Sequence, residues 1–330
     1  MSVSASEVVP TAEVLSAAEV LPAAEVLPTG SPRKTGSGQN LEAGRRGRGL
    51  AGSVLGMLGS GTSSQVGAAL GAHAFPAIGP AGVVAVRQLV AAIVLVPLAR
   101  PPLHRFGWRQ WWPTLLLGLV FAVMNLSLYL AVDRIGLGLA VTLEFLGPLA
   151  VALAGSRTRT DALCAVAAGA GVVVLVLPGP TSDYLGVGFG LLAAFGWASY
   201  ILVNRLVGAR LPGLQGPAAA AVVAVLLYAP VIAVLAAQGR FTEAALFYAG
   251  CAGLLCSVVP YAVDLIMLRR VRAQFFGVFM SINPVLATLA GIVILGQVLS
   301  LREWAGVLIV IASNAVATIA QSLPVRSRAR

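Results

Sequence analysis

From Leu50 onward the chain divides into about ten apolar segments, each long enough to cross a ~30 Å hydrocarbon layer as a helix. They fall near 50–73, 79–99, 111–132, 136–155, 160–178, 186–206, 214–237, 244–267, 274–296 and 303–322. The connections are short, and several carry turn-forming pairs such as Gly79-Pro80 and Pro178-Gly179. This pattern predicts an all-α integral membrane protein of ten transmembrane helices.

Composition agrees. Of the 330 residues, 58% are hydrophobic and 10% charged, against about 25% charged in an ordinary soluble domain. The 37 glycines suit close helix packing in lipid. A net charge of +10 raises the question of nucleic acid, but the arginines punctuate apolar segments and form no basic groove, so no nucleic-acid partner is expected. Cys164, Cys251 and Cys256 lie inside apolar spans without metal-ligand spacing and read as small buried residues. Cys251 and Cys256 point to different helix faces, which disfavours a disulfide. No cofactor or metal is expected.

Basic residues orient the chain. With the N-terminus in the cytoplasm, inside loops and tails hold 18 of the 22 Lys and Arg residues, and outside loops hold Arg134, Arg240 and Arg302. The positive-inside rule therefore places both termini in the cytoplasm. Residues 1–49 form a separate tail in which Ala-Glu-Val-Leu recurs with a period of six, broken by Pro22 and Pro28, and this predicts disorder. Residues 323–330 form a second, basic tail. A competing reading takes Arg45-Arg46 and the stretch ending Ala72-His73-Ala74 as a signal peptide, but that apolar stretch is longer than a usual signal core.

The two halves align weakly. A shift of 136 residues puts Pro148 on Pro284, Gly155 on Gly291 and Asp133-Arg134 on Arg269-Arg270; a shift of 137 puts Gly79-Pro80 on Gly216-Pro217. Each half, 50–178 and 186–322, then holds five helices, and an odd number inverts the second copy in the membrane. Inverted repeats of this kind are a recurring plan of secondary transporters, with the substrate bound between the halves near the midplane.

Three charges interrupt the apolar spans: Arg87, Glu144 and Asp264. A charge at the bilayer centre costs about 2.5–3.5 kcal/mol on insertion scales, so such residues face a protein interior or a wet cavity. Arg87 and Glu144 each lie eight residues into spans of the same direction, hence ~12 Å deep. Equal depth suits an internal ion pair or a grip on the two ends of a zwitterion. Asp264, near Arg269 and Arg270, reads either as a snorkelling partner of those arginines or as a titrating gate. Asn125 and Tyr129 are four apart; Trp197, Tyr200 and Asn204 follow 3–4 spacing, so these side chains can share one axis. Asn283 precedes Pro284, where the helix loses a hydrogen bond that a cavity can use. Trp108, Trp111 and Trp112 read as interface anchors.

The stretch Gly79-Pro-Ala-Gly-Val-Val-Ala-Val-Arg87, the segment Leu143-Glu-Phe-Leu-Gly-Pro148 and the Pro260-Tyr261 start of the Asp264 segment resemble the threonine/homoserine exporter branch of the EamA, or drug/metabolite transporter, superfamily. Residues from Phe276-Gly277 through Gly296 resemble the second EamA repeat. The resemblance covers residues 50–322. It implies a ten-helix inner-membrane carrier that exports small amino acids in exchange for protons, with Tyr261 joining the site residues. Two departures stand out: Asn283 before Pro284, and Gln297 where relatives often have glutamate. They leave Glu144 and Asp264 as the carboxylates able to couple protons. The expected partners are a small-molecule substrate, protons and the lipid bilayer, and a homodimer is compatible with the pattern. A carrier of the same fold for another metabolite or drug is the alternative. An intramembrane enzyme is disfavoured, because the chain has no paired catalytic carboxylates, His-containing metal motif, phosphate-binding Gly-Lys loop or Ser–His arrangement.

Overall fold

The computed structural model describes residues 55–154, 159–176, 183–260, 263 and 281–322. Among the described residues every regular element is helical. The helices are α1 over 55–72, α2 Phe75–Ala99, α3 Trp108–Ile135, α4 Leu137–Glu144, α5 Leu146–Ala154 and α6 Arg159–Val176, followed by α7 Tyr184–Gly208, α8 Gln215–Ala237, α9 Glu243–Gly253, α10 Asn283–Leu295 and α11 Leu301–Ser322. Helix α9 continues into a π-helical turn, Leu254–Val258. By length and composition α2, α3, α7 and α8 can each cross a membrane. The tail 1–49, the segment 323–330, Tyr261 and Asp264 lie outside the described residues.

Glycine and proline set the boundaries. Gly136 alone separates α3 from α4; its φ of 83° is a backbone setting that a side chain resists. Gly79 (φ 67°) with Pro80 kinks α2 near its start, so the residues up to Ile78 diverge from the long straight part that carries Arg87. The fourth apolar segment, expected as one helix, is interrupted at Phe145. Pro148 explains the break: it has no N–H to return to the Glu144 carbonyl four residues earlier.

Side chains cap several ends. Asp183 accepts from the Gly186 N–H (2.9 Å) at the start of α7, and Thr242 accepts from the Ala245 N–H (3.2 Å) at the start of α9. Gln297 caps across the molecule: its Oε1 accepts from the Leu137 N–H at 3.0 Å, holding the start of α4 to the end of α10.

Small residues bring the helices together. A Cβ at Gly138 of α4 would stand 2.6 Å from Thr288 Oγ1 and 2.9 Å from Thr288 Cα of α10. One at Gly147 would collide with the Ala194 carbonyl of α7. Lipid tails are as apolar as leucine, so dispersion between closely fitted surfaces carries this packing. Helix α3 packs on α7 and α8, α2 on α8 and α9, α4 on α10, and α6 on α11. Buried Ala, Val and Leu side chains fill the contacts, with Tyr129, Tyr228 and Phe121 as the bulky members. Large apolar side chains such as Leu98, Phe195 and Val293 face outward, as suits a surface set in a bilayer. Trp108 is 72% exposed at the start of α3.

Candidate functional site

A cavity of about 270 Å³ opens among α1, α2, α3, α4, α7, α8, the π turn after α9, and α10. Six of the residues expected from sequence line it: Arg87, Asn125, Glu144, Trp197, Tyr200 and Asn283. Of the remaining four, the two that are described do not line it. Tyr129 packs beneath Arg87 instead of facing the space. Asn204 lies one helical turn past Tyr200, ~6 Å further along α7, and is not among the lining residues. Tyr261 and Asp264 fall outside the described residues.

Arg87 stands on the straight part of α2, and its guanidinium carbon lies 5.7 Å from the centroid of the Tyr129 ring. That ring is fixed edge-on by Phe75 at 5.7 Å. A guanidinium over an aromatic face keeps its charge while its donors stay available. Among the described residues Arg87 Nε and the Tyr129 hydroxyl are buried without a hydrogen-bond partner.

Glu144 is the last residue of α4 and only 6% exposed. Three features make its surroundings negative. Its carboxyl group lines the cavity, it sits at the negative end of a helix dipole, and Pro148 offers no N–H to its backbone carbonyl. Among the described residues Arg134 and Asp183 form the ion pair given by the structure, at 2.9 Å, and none joins Arg87 to Glu144. A buried carboxyl group and a half-buried guanidinium thus border one space without pairing with each other. Such an arrangement suits a ligand carrying both an ammonium and a carboxylate.

Aromatic pairs form another part of the wall. Phe145 meets Trp197 edge-on at 4.6 Å, and Phe121 packs on Tyr200 at 5.5 Å. The Asn125 amide donates to the Phe121 carbonyl at 2.7 Å, which holds its side chain along α3. Among the described residues no group of three or more His, Cys, Asp or Glu side chains is placed to hold a metal.

Several lining residues were not singled out from sequence: Ser60, Ser64 and Gln65 of α1, Gln88 of α2, and Cys256 and Ser257 of the π turn. Cys256 is therefore more than buried filling. Its thiol donates to the Ser64 carbonyl (3.1 Å), and Ser63 Oγ donates to the Leu255 carbonyl (2.9 Å), so the π turn and α1 are tied together. Polar residues at 60 and 64, four apart on one helix face, were the available signal on α1. Gln297 sits outside the cavity, at the α4 cap. Glutamine supplies the acceptor that this cap needs, so the missing carboxylate there takes nothing from the cavity.

Comparison with known proteins gives a family. Residues 184–319 match the EamA-like transporter family. The chain is 35% identical over 245 residues to the threonine/homoserine exporter RhtA of Salmonella typhimurium strain LT2, covering 72% of this chain and 82% of that protein. It is 34% identical over 244 residues to the threonine/homoserine exporter RhtA of Escherichia coli K12, covering 72% and 81%. A protein of known crystal structure superimposes with a TM-score of 0.54 at 20% identity, over 80% of this chain and 98% of its own, which shows a shared fold. These relatives are transporters and not enzymes, and the apolar helices agree with a membrane-embedded carrier. The chain belongs to the EamA-like transporter family.

Proposed function

We propose that this protein is an inner-membrane secondary exporter of small amino acids of the threonine or homoserine kind, driven by proton exchange. The observation that carries the reading is the cavity lined by a buried Glu144 and a half-buried Arg87, with no ion pair between them. Arg87 receives the substrate carboxylate, Glu144 receives its ammonium, and the aromatic pairs bound the side chain. The names of the relatives supply the substrate class.

Two inverted five-helix repeats, 50–178 and 186–322, are the proposed frame, with both termini cytoplasmic. Helix lies within each of the ten expected spans among the described residues, and the family match over 184–319 supports the second repeat. Glu144 and Asp264 are the carboxylates proposed to exchange protons with substrate. Proton coupling by Glu144 needs a site that releases its proton when an ammonium arrives, and the unclaimed carboxylate offers one.

Counterflow in proteoliposomes against a panel of labelled amino acids, with and without a pH gradient, tests both parts. Saturable exchange of threonine or homoserine, accelerated by the gradient in the export direction, is the expected result. Exchange confined to non-amino-acid metabolites would move the protein to a carrier of the same fold with another substrate.

A further inference from the structure

Four amide side chains line the cavity, and three are engaged. Gln65 Nε2 donates to Asn283 Oδ1 at 3.4 Å, and Asn125 donates to the Phe121 carbonyl. Gln88 is the exception: it is 5% exposed, lines the cavity, and has no hydrogen-bond partner among the described residues. It follows Arg87 directly on α2, and on its own face Ala91 and Leu95 continue the cavity wall at the third and seventh positions beyond it. Its amide atoms are not among the buried polar atoms left without a partner, so they are open to the cavity, where water or a polar ligand group satisfies them.

We infer that Gln88 determines specificity by hydrogen bonding a hydroxyl on the substrate side chain. Arg87, Glu144 and Gln88 differ in their hydrogen-bonding chemistry, which separates their tasks. Glu144 only accepts when ionised and Arg87 only donates, so they suit the ammonium and the carboxylate. A hydroxyl both donates and accepts, and of these three groups the Gln88 amide alone offers both functions. Ala91 and Leu95 supply apolar wall in the same cavity for the methyl or methylene groups that carry the hydroxyl. The selected class is therefore a zwitterion with a short hydroxylated side chain. An analogue of equal shape without the hydroxyl would strand the amide, which is how a polar site rejects such a molecule. This inference rests on the amino-acid reading above.

The test compares threonine with 2-aminobutyrate, which has the same carbon skeleton without the hydroxyl. Both are measured as counterflow substrates of the full-length protein in proteoliposomes. Wild type is expected to favour threonine by about tenfold or more in kcat/KM, and Gln88→Met, which keeps length but neither donates nor accepts an N–H···O bond, to reduce that ratio to about twofold or less. Folded Gln88→Met protein that retains the wild-type ratio would overturn the inference, as would a wild type that does not discriminate. If Gln88→Met is poorly folded, Gln88→Leu serves in its place: it also lacks donors and acceptors, and an unchanged ratio there would overturn the inference as well. Wild-type protein that exchanges neither amino acid contradicts the amino-acid reading and this inference together. Exchange of both without discrimination contradicts this inference alone.

Discussion

The molecule contains two arginine–carboxylate arrangements that solve opposite problems. At the end of the bundle, Arg134 and Asp183 close a 2.9 Å ion pair, and Asp183 also accepts from the Gly186 N–H. Both side chains are partly exposed to water, where pairing is inexpensive and contributes little. In the cavity, Arg87 and Glu144 are far more costly to keep, yet no direct ion pair joins them. Charges that serve architecture find each other. Charges that keep their capacity unspent at high cost point to a partner that comes and goes.

Removing either cavity charge gives the largest expected effect. Glu144→Gln and Arg87→Gln should each lower counterflow of zwitterionic amino acids about 100-fold or more, as loss of a buried charge-assisted contact of several kcal/mol implies. Both variants should still insert and extract as monodisperse protein, which size-exclusion chromatography checks. Comparable loss of folded protein would assign the two residues to architecture and erase the contrast with Arg134–Asp183.

A second test separates packing from binding. Gly138→Val forces a side chain against the Thr288 backbone, and overpacking of this kind costs about 1–3 kcal/mol. The expected outcome is a lower thermal midpoint in detergent, with the substrate preference of the surviving protein unchanged. Gln297→Ala should cost less, about 1 kcal/mol, by removing the cap of α4, while Gln297→Glu should keep the acceptor and most of the stability. A marked change of substrate preference in either Gln297 variant would bring that residue into the cavity's chemistry.

The smallest effect belongs to the exposed pair. The Gly186 N–H, and then Arg134, hold the Asp183 carboxyl below the usual carboxylate range. A carboxyl depressed on folding stabilises the fold above its unfolded pKa, and that contribution fades as pH falls through the lower folded value. Wild type should therefore lose slightly more stability than Asp183→Asn between neutral pH and about pH 3, because only wild type has this carboxylate to protonate. Thermal melts across that range give the comparison, and transport at neutral pH should be nearly the same in both.

These contrasts also show what a sequence can reveal. Arg87 and Glu144 were legible because charge inside an apolar span is rare and their depths matched. Trp197 and Tyr200 were legible through helical spacing, and the same spacing over-reached at Asn204, since sharing a face says nothing about where a cavity ends along the axis. Ser60, Ser64 and Gln65 were hidden because mildly polar residues barely disturb an apolar run. Cys256 and Ser257 were hidden for another reason: a π turn places more residues in each turn than the 3.6-residue period assumes, so the faces beyond it rotate. The break at Phe145 was implicit in Pro148, whose effect falls four residues upstream at the residue with the most chemistry to offer. Gln297 looked like a lost carboxylate until its place at the α4 cap was known, because a cap between distant elements leaves no local pattern.

The central claim, that Arg87 and Glu144 hold opposite ends of a zwitterion, is tested most directly by counterflow of threonine through the charge-swapped protein Arg87→Glu/Glu144→Arg. The cavity walls do not exchange with the charges, so a substrate oriented by those walls meets the wrong charge at each end. The account predicts that the swapped protein folds and transports no better than either single variant. Recovery of wild-type exchange would contradict it, and would make the two residues a structural pair.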